Sequence, residues 1–132
     1  MSTRVNRATV NAYINAFNRG DFEAIAGLCT EDVAIQGILG NGGLGVATSI
    51  WRELHEAYQV HLEVEDLVAE GSIVAVRYSE SGTFVKPFRG TQPTGKSYTL
   101  VAMEWFHLRD GKIAARWGVR DAASMMKQLG VA

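Results

Sequence analysis

The stretch TLVAMEWFHLRDGKIAARWGVRD, Thr99–Asp121, decides the fold. It reads as two extended runs joined by Asp110-Gly111, a pair whose preference for positive φ suits a two-residue hairpin turn and so makes the runs antiparallel neighbours. In the first run Val101, Met103 and Trp105 share one phase, while Leu100, Ala102, Glu104 and Phe106 share the other. Side chains alternate faces along a strand, so both faces of this strand are expected to be covered. One packs on helices, and the other lines a cavity or makes a subunit interface. In the second run Ile113, Ala115, Trp117, Val119 and Asp121 fall in the apolar phase, opposite Lys112, Arg116 and Arg120. That phase aims the Asp121 carboxylate inward, where an ionised group needs a partner, a hydrogen bond or a proton.

Upstream, Val60 to Ala69 and Ile73 to Phe84 alternate in the same way around a turn at Glu70-Gly71, which extends the hairpin into a four-stranded meander. The N-terminal third has a different period. Val10, Tyr13, Ile14 and Phe17 recur at helical spacing, Asn18-Arg19-Gly20 ends that helix, and Asp21 caps a short second one through Ile25 and Leu28. A short strand over Val33 to Leu39, a glycine-rich loop, a helix over Ala47 to Tyr58 and a last helix over Ala122 to Gln128, closed by Gly130, complete the chain. Helices first and an antiparallel meander after them predict one α+β domain over residues 1–132, a cone in which a curved antiparallel sheet wraps the N-terminal helices.

With 132 residues, 47% of them hydrophobic, the chain is long enough to bury a substantial core. A formal net charge of -1 supplies no general attraction for phosphates, which argues against nucleic acid as a partner and for a hydrophobic small molecule. No apolar run approaches membrane-spanning length and the N-terminus lacks an apolar leader, so no membrane partner is expected. The single cysteine, Cys29, excludes an internal disulfide and suits a reducing cytoplasm.

Three polar groups on apolar stripes are candidates for proton-transfer chemistry: Asp121, Glu104 and the Tyr13 phenol on the apolar face of the first helix. Burial raises carboxyl pKa values, which lets one acid exchange protons near neutral pH while another donates to an oxyanion. The competing reading makes Asp121 a helix cap, Tyr13 core, and Glu104 the partner of Arg77 or Arg116. Trp51, Trp105 and Trp117 are candidate pocket-lining residues. Gly40, Gly42 and Gly45 match G-x-G-x-x-G, but a dinucleotide fold needs parallel βαβ units, and here the glycines are expected to form a loop at the pocket mouth. His55, His61 and His107 have no metal-binding spacing, and neither a G-x-S-x-G elbow nor a histidine partner for Cys29 is evident.

Taken together, AYINAFNRGDFEAI (Ala12–Ile25), FRGTQPTGK (Phe88–Lys96) and DGKIAARWGVRD with MMKQLG (Asp110–Gly130) resemble the SnoaL-like polyketide cyclases and ester cyclases of the NTF2-like superfamily. The resemblance implies a dimeric α+β cone with a deep apolar cavity and no cofactor. It also implies cyclase chemistry, intramolecular aldol closure of a hydrophobic carbonyl compound, with Asp121 at the position of the family's base. The more distant ketosteroid isomerases place an oxyanion-binding tyrosine on Tyr13 and a protonated acid on Glu104, but their base falls near Gly37, which has no side chain to serve. Phe84 stands where ester cyclases often carry a histidine, and joins Trp51, Trp105 and Trp117 as a candidate substrate-binding residue. The alternatives are a ketosteroid-isomerase-like reaction with Asp121 as the replacement base, epoxide opening, which would need an arginine such as Arg77 or Arg116 beside an acid, and a non-catalytic dimer that binds a small ligand.

Overall fold

A computed structural model describes residues 2–131. The elements run α1 (Thr3–Arg19), α2 (Phe22–Ala26), β1 (Cys29–Gly37), β2 (Gly40–Gly42), α3 (Leu44–Tyr58), β3 (His61–Glu70), β4 (Ile73–Thr83), β5 (Ser97–Arg109), β6 (Lys112–Arg120) and α4 (Ala122–Leu129). One curved sheet of six strands has the order β2-β1-β6-β5-β4-β3. The meander β3 to β6 is antiparallel throughout, whereas β1 lies parallel to β6. The sheet is therefore mixed rather than purely antiparallel.

Local chemistry sets the element ends. The Ser2 hydroxyl accepts from Val5 N to start α1, and Gly20, at φ 71°, closes it by donating to the Ala16 and Phe17 carbonyls. Asp110 and Gly111 both take positive φ, as the hairpin between β5 and β6 requires. The buried stripe of α1 is Asn6, Val10, Tyr13, Ile14, Ala16 and Phe17, and that of α3 includes Ala47, Trp51, Leu54 and Ala57. Both stripes share the core with the sheet face that carries Leu100, Ala102, Glu104 and Phe106. Two side-chain amides fasten helices to strands: Asn18 bonds both backbone groups of Leu62, and Gln128 both backbone groups of Thr99.

The glycine-rich segment is partly ordered as strand. Gly40–Gly42 pair antiparallel with Ile35–Gly37, so no βαβ unit surrounds them. No described helix is long and apolar enough to cross a membrane.

One irregularity reverses the expected facing of the last strand. Leu108 pairs with Ile113 but His107 pairs with Ala115, leaving Ala114 as an extra residue, a β-bulge. Because side chains alternate with a period of two, one inserted residue exchanges the faces of everything after it. Ile113 points into the core, but beyond the bulge Arg116 is buried while Trp117 and Val119 are exposed. The phase that looked apolar and interior thus lies on the outside of the sheet, beside the exposed Val101, Met103 and Trp105.

Candidate active site

Between the inner face of the sheet and the helices lies a mainly apolar cavity of about 90 Å³. Tyr13 and Phe17 of α1, Trp51 and Leu54 of α3, and Ile35 of β1 form much of its wall. Its outer rim includes Ile38, Gly40 and Val46, all exposed.

Two buried acid–arginine pairs reach this cavity. In the first, Glu104 of β5 accepts from the Tyr13 hydroxyl at 2.8 Å and the Tyr78 hydroxyl at 2.6 Å. Arg116 of β6 brings Nε to 2.8 Å from Glu104 Oε2. That N–H is not directed along the contact, so the interaction is ionic rather than a straight hydrogen bond. Arg116 also donates from Nη1 to the Gln36 carbonyl at 2.7 Å and lies 5.9 Å from the centroid of the Trp51 ring. Its side chain runs over Gly118, where any Cβ would sit 2.3 Å from Nη1. In the second pair, Arg120 of β6 holds Glu80 of β4 through Nε and Nη2, and the Tyr98 hydroxyl donates to the same carboxylate at 2.6 Å.

Burial dominates the electrostatics. It pushes the Tyr13 and Tyr78 phenols well above the ordinary tyrosine range, reinforced by the negative charge of Glu104, so both stay protonated as donors. Burial acts to lower the pKa of Arg116, but Glu104, aided by Tyr13 and Tyr78, outweighs it and holds the guanidinium above its usual value. Arg120 is raised in the same way: burial opposes, and Glu80 prevails. Each pair is therefore a fixed cation beside a hydrogen-bonded acid, its side chains largely shielded from solvent. Such an arrangement can hold an anionic oxygen and exchange a proton with a bound molecule. Among the described residues, no group of three or more His, Cys, Asp or Glu side chains is arranged to hold a metal ion.

A model of the SnoaL-like polyketide cyclases matches residues 7–129. The chain belongs to that family. This SnoaL-like chain is similar to the solved structure of IdmH, a candidate polyketide cyclase of Streptomyces antibioticus. The two are 27% identical over 96% of this chain and 99% of IdmH, with a TM-score of 0.86. A candidate polyketide cyclase of Xanthomonas campestris is 25% identical over 96% of this chain and 98% of its own, with a TM-score of 0.85. An epoxide hydrolase of the LEH-like type from Mycobacterium tuberculosis shares the fold at 16% identity, covering 96% and 90% of the two chains, with a TM-score of 0.76. No curated protein matches the sequence.

Of the residues singled out in the sequence, the SnoaL-like fold brings Tyr13, Glu104 and Trp51 to the cavity. Asp121 is not among them. It is exposed, and its Oδ1 accepts from Ser124 N at 3.1 Å as the N-cap of α4. The bulge at Ala114 puts its strand phase outside, and the helix that begins at Ala122 takes its carboxylate as a cap. Trp105 and Trp117 stand half-exposed on the outer face, where Trp117 packs edge-on against His107. Phe84 is fully buried but packs on Tyr58 at 4.8 Å between ring centroids, away from the cavity lining. Arg77 pairs with Asp66 at 2.5 Å on the outer face, which leaves Arg116 as the partner of Glu104.

Sequence reasoning missed Glu80, Tyr78, Tyr98 and Arg120. Tyr78 and Glu80 share the phase of Val74 and Val76 on β4, a signal that was present, but Arg120 gave none because its apparent phase was polar.

Proposed function

We propose that the chain is a cofactor-independent acid–base enzyme that closes a ring in a hydrophobic, polyketide-like carbonyl compound, with Glu104, Arg116 and Tyr13 at the reacting end. The observation that carries this reading is the Glu104 carboxylate, held by one guanidinium and two phenols at the wall of a mainly apolar cavity. The Glu104 carboxylate takes a proton from the carbon next to a substrate carbonyl, and an enolate forms. The negative charge moves from carboxylate to enolate oxygen, and Arg116 remains beside an anion throughout, so no new buried charge is created. The protonated Tyr13 and Tyr78 hydroxyls, released from the now neutral acid, are available to that oxygen. The enolate carbon then attacks a second carbonyl of the same molecule, and the proton held by Glu104 passes to the new alkoxide. Binding both reacting carbons in one cavity supplies the proximity that an intramolecular closure exploits.

The cavity, about 90 Å³ and open at its rim, is smaller than the roughly 300–1,000 Å³ of ordinary ligand pockets. The substrate therefore enters end-on, past the rim formed by Ile38, Gly40 and Val46.

The pairing of Arg116 with an acid favours a second reading, epoxide opening, in which the carboxylate activates water and a phenol protonates the leaving oxygen. The mass of the product separates them: epoxide opening adds one water, whereas ring closure adds none. Glu104→Gln should lower turnover of a linear poly-β-ketone chain, whose distant carbonyl can accept the enolate carbon, by about 10²-fold or more, the range expected for loss of a general base. Tyr13→Phe, which leaves the ion pair in place, should lower it by roughly ten-fold. Full activity in a folded Glu104→Gln protein would remove the proposed base, and ligand binding without turnover in the wild type would leave a binding protein.

A further inference from the structure

The second acid–arginine pair has no part in the proton transfer described above. Glu80 is 3% exposed, and Arg120 reaches it from β6 with two donors while Tyr98 supplies a third. Replacing a buried ion pair with apolar side chains is often neutral or stabilising, so stability alone is a weak reason for a small core to hold two of them. Both pairs line the same cavity, and register fixes their spacing. Glu104 pairs across to Val76, and Glu80 lies four residues farther along β4; Arg116 and Arg120 are likewise four residues apart on β6. At about 3.3 Å per residue the two pairs are anchored roughly 13 Å apart along the sheet. Between them the floor is made by Ala102, while the space over Gly118 is taken by the Arg116 guanidinium, which so reaches along the floor. Among the described residues no hydrogen bond uses Nη1 of Arg120, so the guanidinium keeps donors for another acceptor.

We propose that Arg120, held by Glu80 and Tyr98, is a second ligand-binding pole. It takes an oxygen at the far end of the molecule whose other oxygen lies at Arg116, so the cavity selects elongated ligands with an oxygen acceptor at each end and measures their length. This assignment rests on the reading of the Glu104 end as the reacting end, but its test needs no turnover.

The probes are linear diketones of six, eight and ten carbons, with a carbonyl next to each terminal methyl, and the mono-ketones of matching length. Dissociation constants come from NMR titration. In the wild type the diketone of fitting length should bind about ten-fold more tightly than its mono-ketone, the gain expected from one hydrogen bond to a charged group. In Glu80→Gln/Arg120→Met, which removes both charges together and strands neither, that advantage should fall below two-fold. Should the double variant fail to fold in a thermal melt, Arg120→Lys carries the same comparison, because it keeps the charge and loses the planar fork. Equal binding of diketones and mono-ketones by the wild type, no binding of either, or an advantage that survives both variants would overturn the assignment. Diketone selectivity in a protein that closes no ring would sink the proposed function and leave this inference standing.

Discussion

Gly118 is the residue on which the position of Arg116 depends. A methyl group there would lie 2.3 Å from Nη1 and 3.0 Å from Cζ of the guanidinium, and its backbone has no positive φ to complicate the substitution. Gly118→Ala should therefore act by displacing Arg116 from Glu104. We expect at least a ten-fold loss of turnover and a loss of about 1–3 kcal/mol of stability, as for other overpacked cores, read from kinetics and denaturant melts of one preparation. An unchanged turnover would mean that the guanidinium is not needed where it lies. Asp121 gives the converse test. As an exposed helix cap its replacement by alanine should cost about 1 kcal/mol, a fall in Tm of roughly 3–5 °C, and leave turnover within two-fold; a collapse of turnover in a folded Asp121→Ala protein would return that carboxylate to the chemistry. The phenols make a further prediction, about pH. Tyr13 and Tyr78 have folded pKa values raised by burial above an unfolded value near 10. Their contribution is complete below about pH 10 and is lost as pH rises, because the unfolded chain releases protons that the folded one retains. Unfolding free energy measured from pH 8 to 11 should stay level with respect to these groups and then fall, and less steeply in Tyr78→Phe.

At the scale of the element, the bulge in β6 separates what could be read in the sequence from what could not. Tyr13 and Glu104 lie in segments whose periodicity is unbroken, α1 and β5, and both reach the cavity where that periodicity put them. The turn at Asp110-Gly111 and the caps at Asp21 and Gly130 were legible for a similar reason, since each residue type there answers a local backbone need. Ala114 has no such signature. An alanine in a strand looks the same whether it is paired or extra, so the faces of Arg116, Trp117, Arg120 and Asp121 were inverted. Trp105 and Trp117 misled in another way: large apolar side chains signal that a surface is to be covered, not which side of the sheet covers it. The parallel contact of β1 with β6 depends on packing across most of the chain, which no local pattern encodes. Deletion of Ala114 tests the bulge itself. It would return Arg116 and Arg120 to the outer face and leave Glu104 and Glu80 buried without cations, at a cost of about 3–5 kcal/mol for each broken pair. Against the marginal stability of a domain of this size, we expect a chain with no cooperative thermal transition, and a stable, active deletion variant would show that the register is free to slip.

For the molecule as a whole, the consequence of that inversion is an apolar outer surface. Val101, Met103 and Trp105 of β5 and Trp117 and Val119 of β6 stand side by side on it, with Val101 53%, Trp105 47% and Val119 60% exposed. Monomeric proteins rarely leave a contiguous patch of this kind open to water. Trp105 and Trp117 are direct partners across the β5–β6 ladder, and the ion pair of Arg77 with Asp66 borders the groove they form. A patch centred on two adjacent strands, apolar in the middle and carrying both signs of charge at its edge, is the kind of surface that a two-fold rotation pairs with a second copy of itself. A standard interface buries roughly 800 Å² on each partner. That is about a ninth of the 6940 Å² surface of this chain. The expected state in solution is therefore a dimer of twice 14.4 kDa, or 28.8 kDa. Trp105→Glu places a charge at the centre of the patch without touching the cavity, so it should give a folded 14.4 kDa monomer by sedimentation velocity. A wild-type monomer at micromolar concentration, or a Trp105→Glu dimer as tight as the wild type, would show that a different surface, or none, joins two copies.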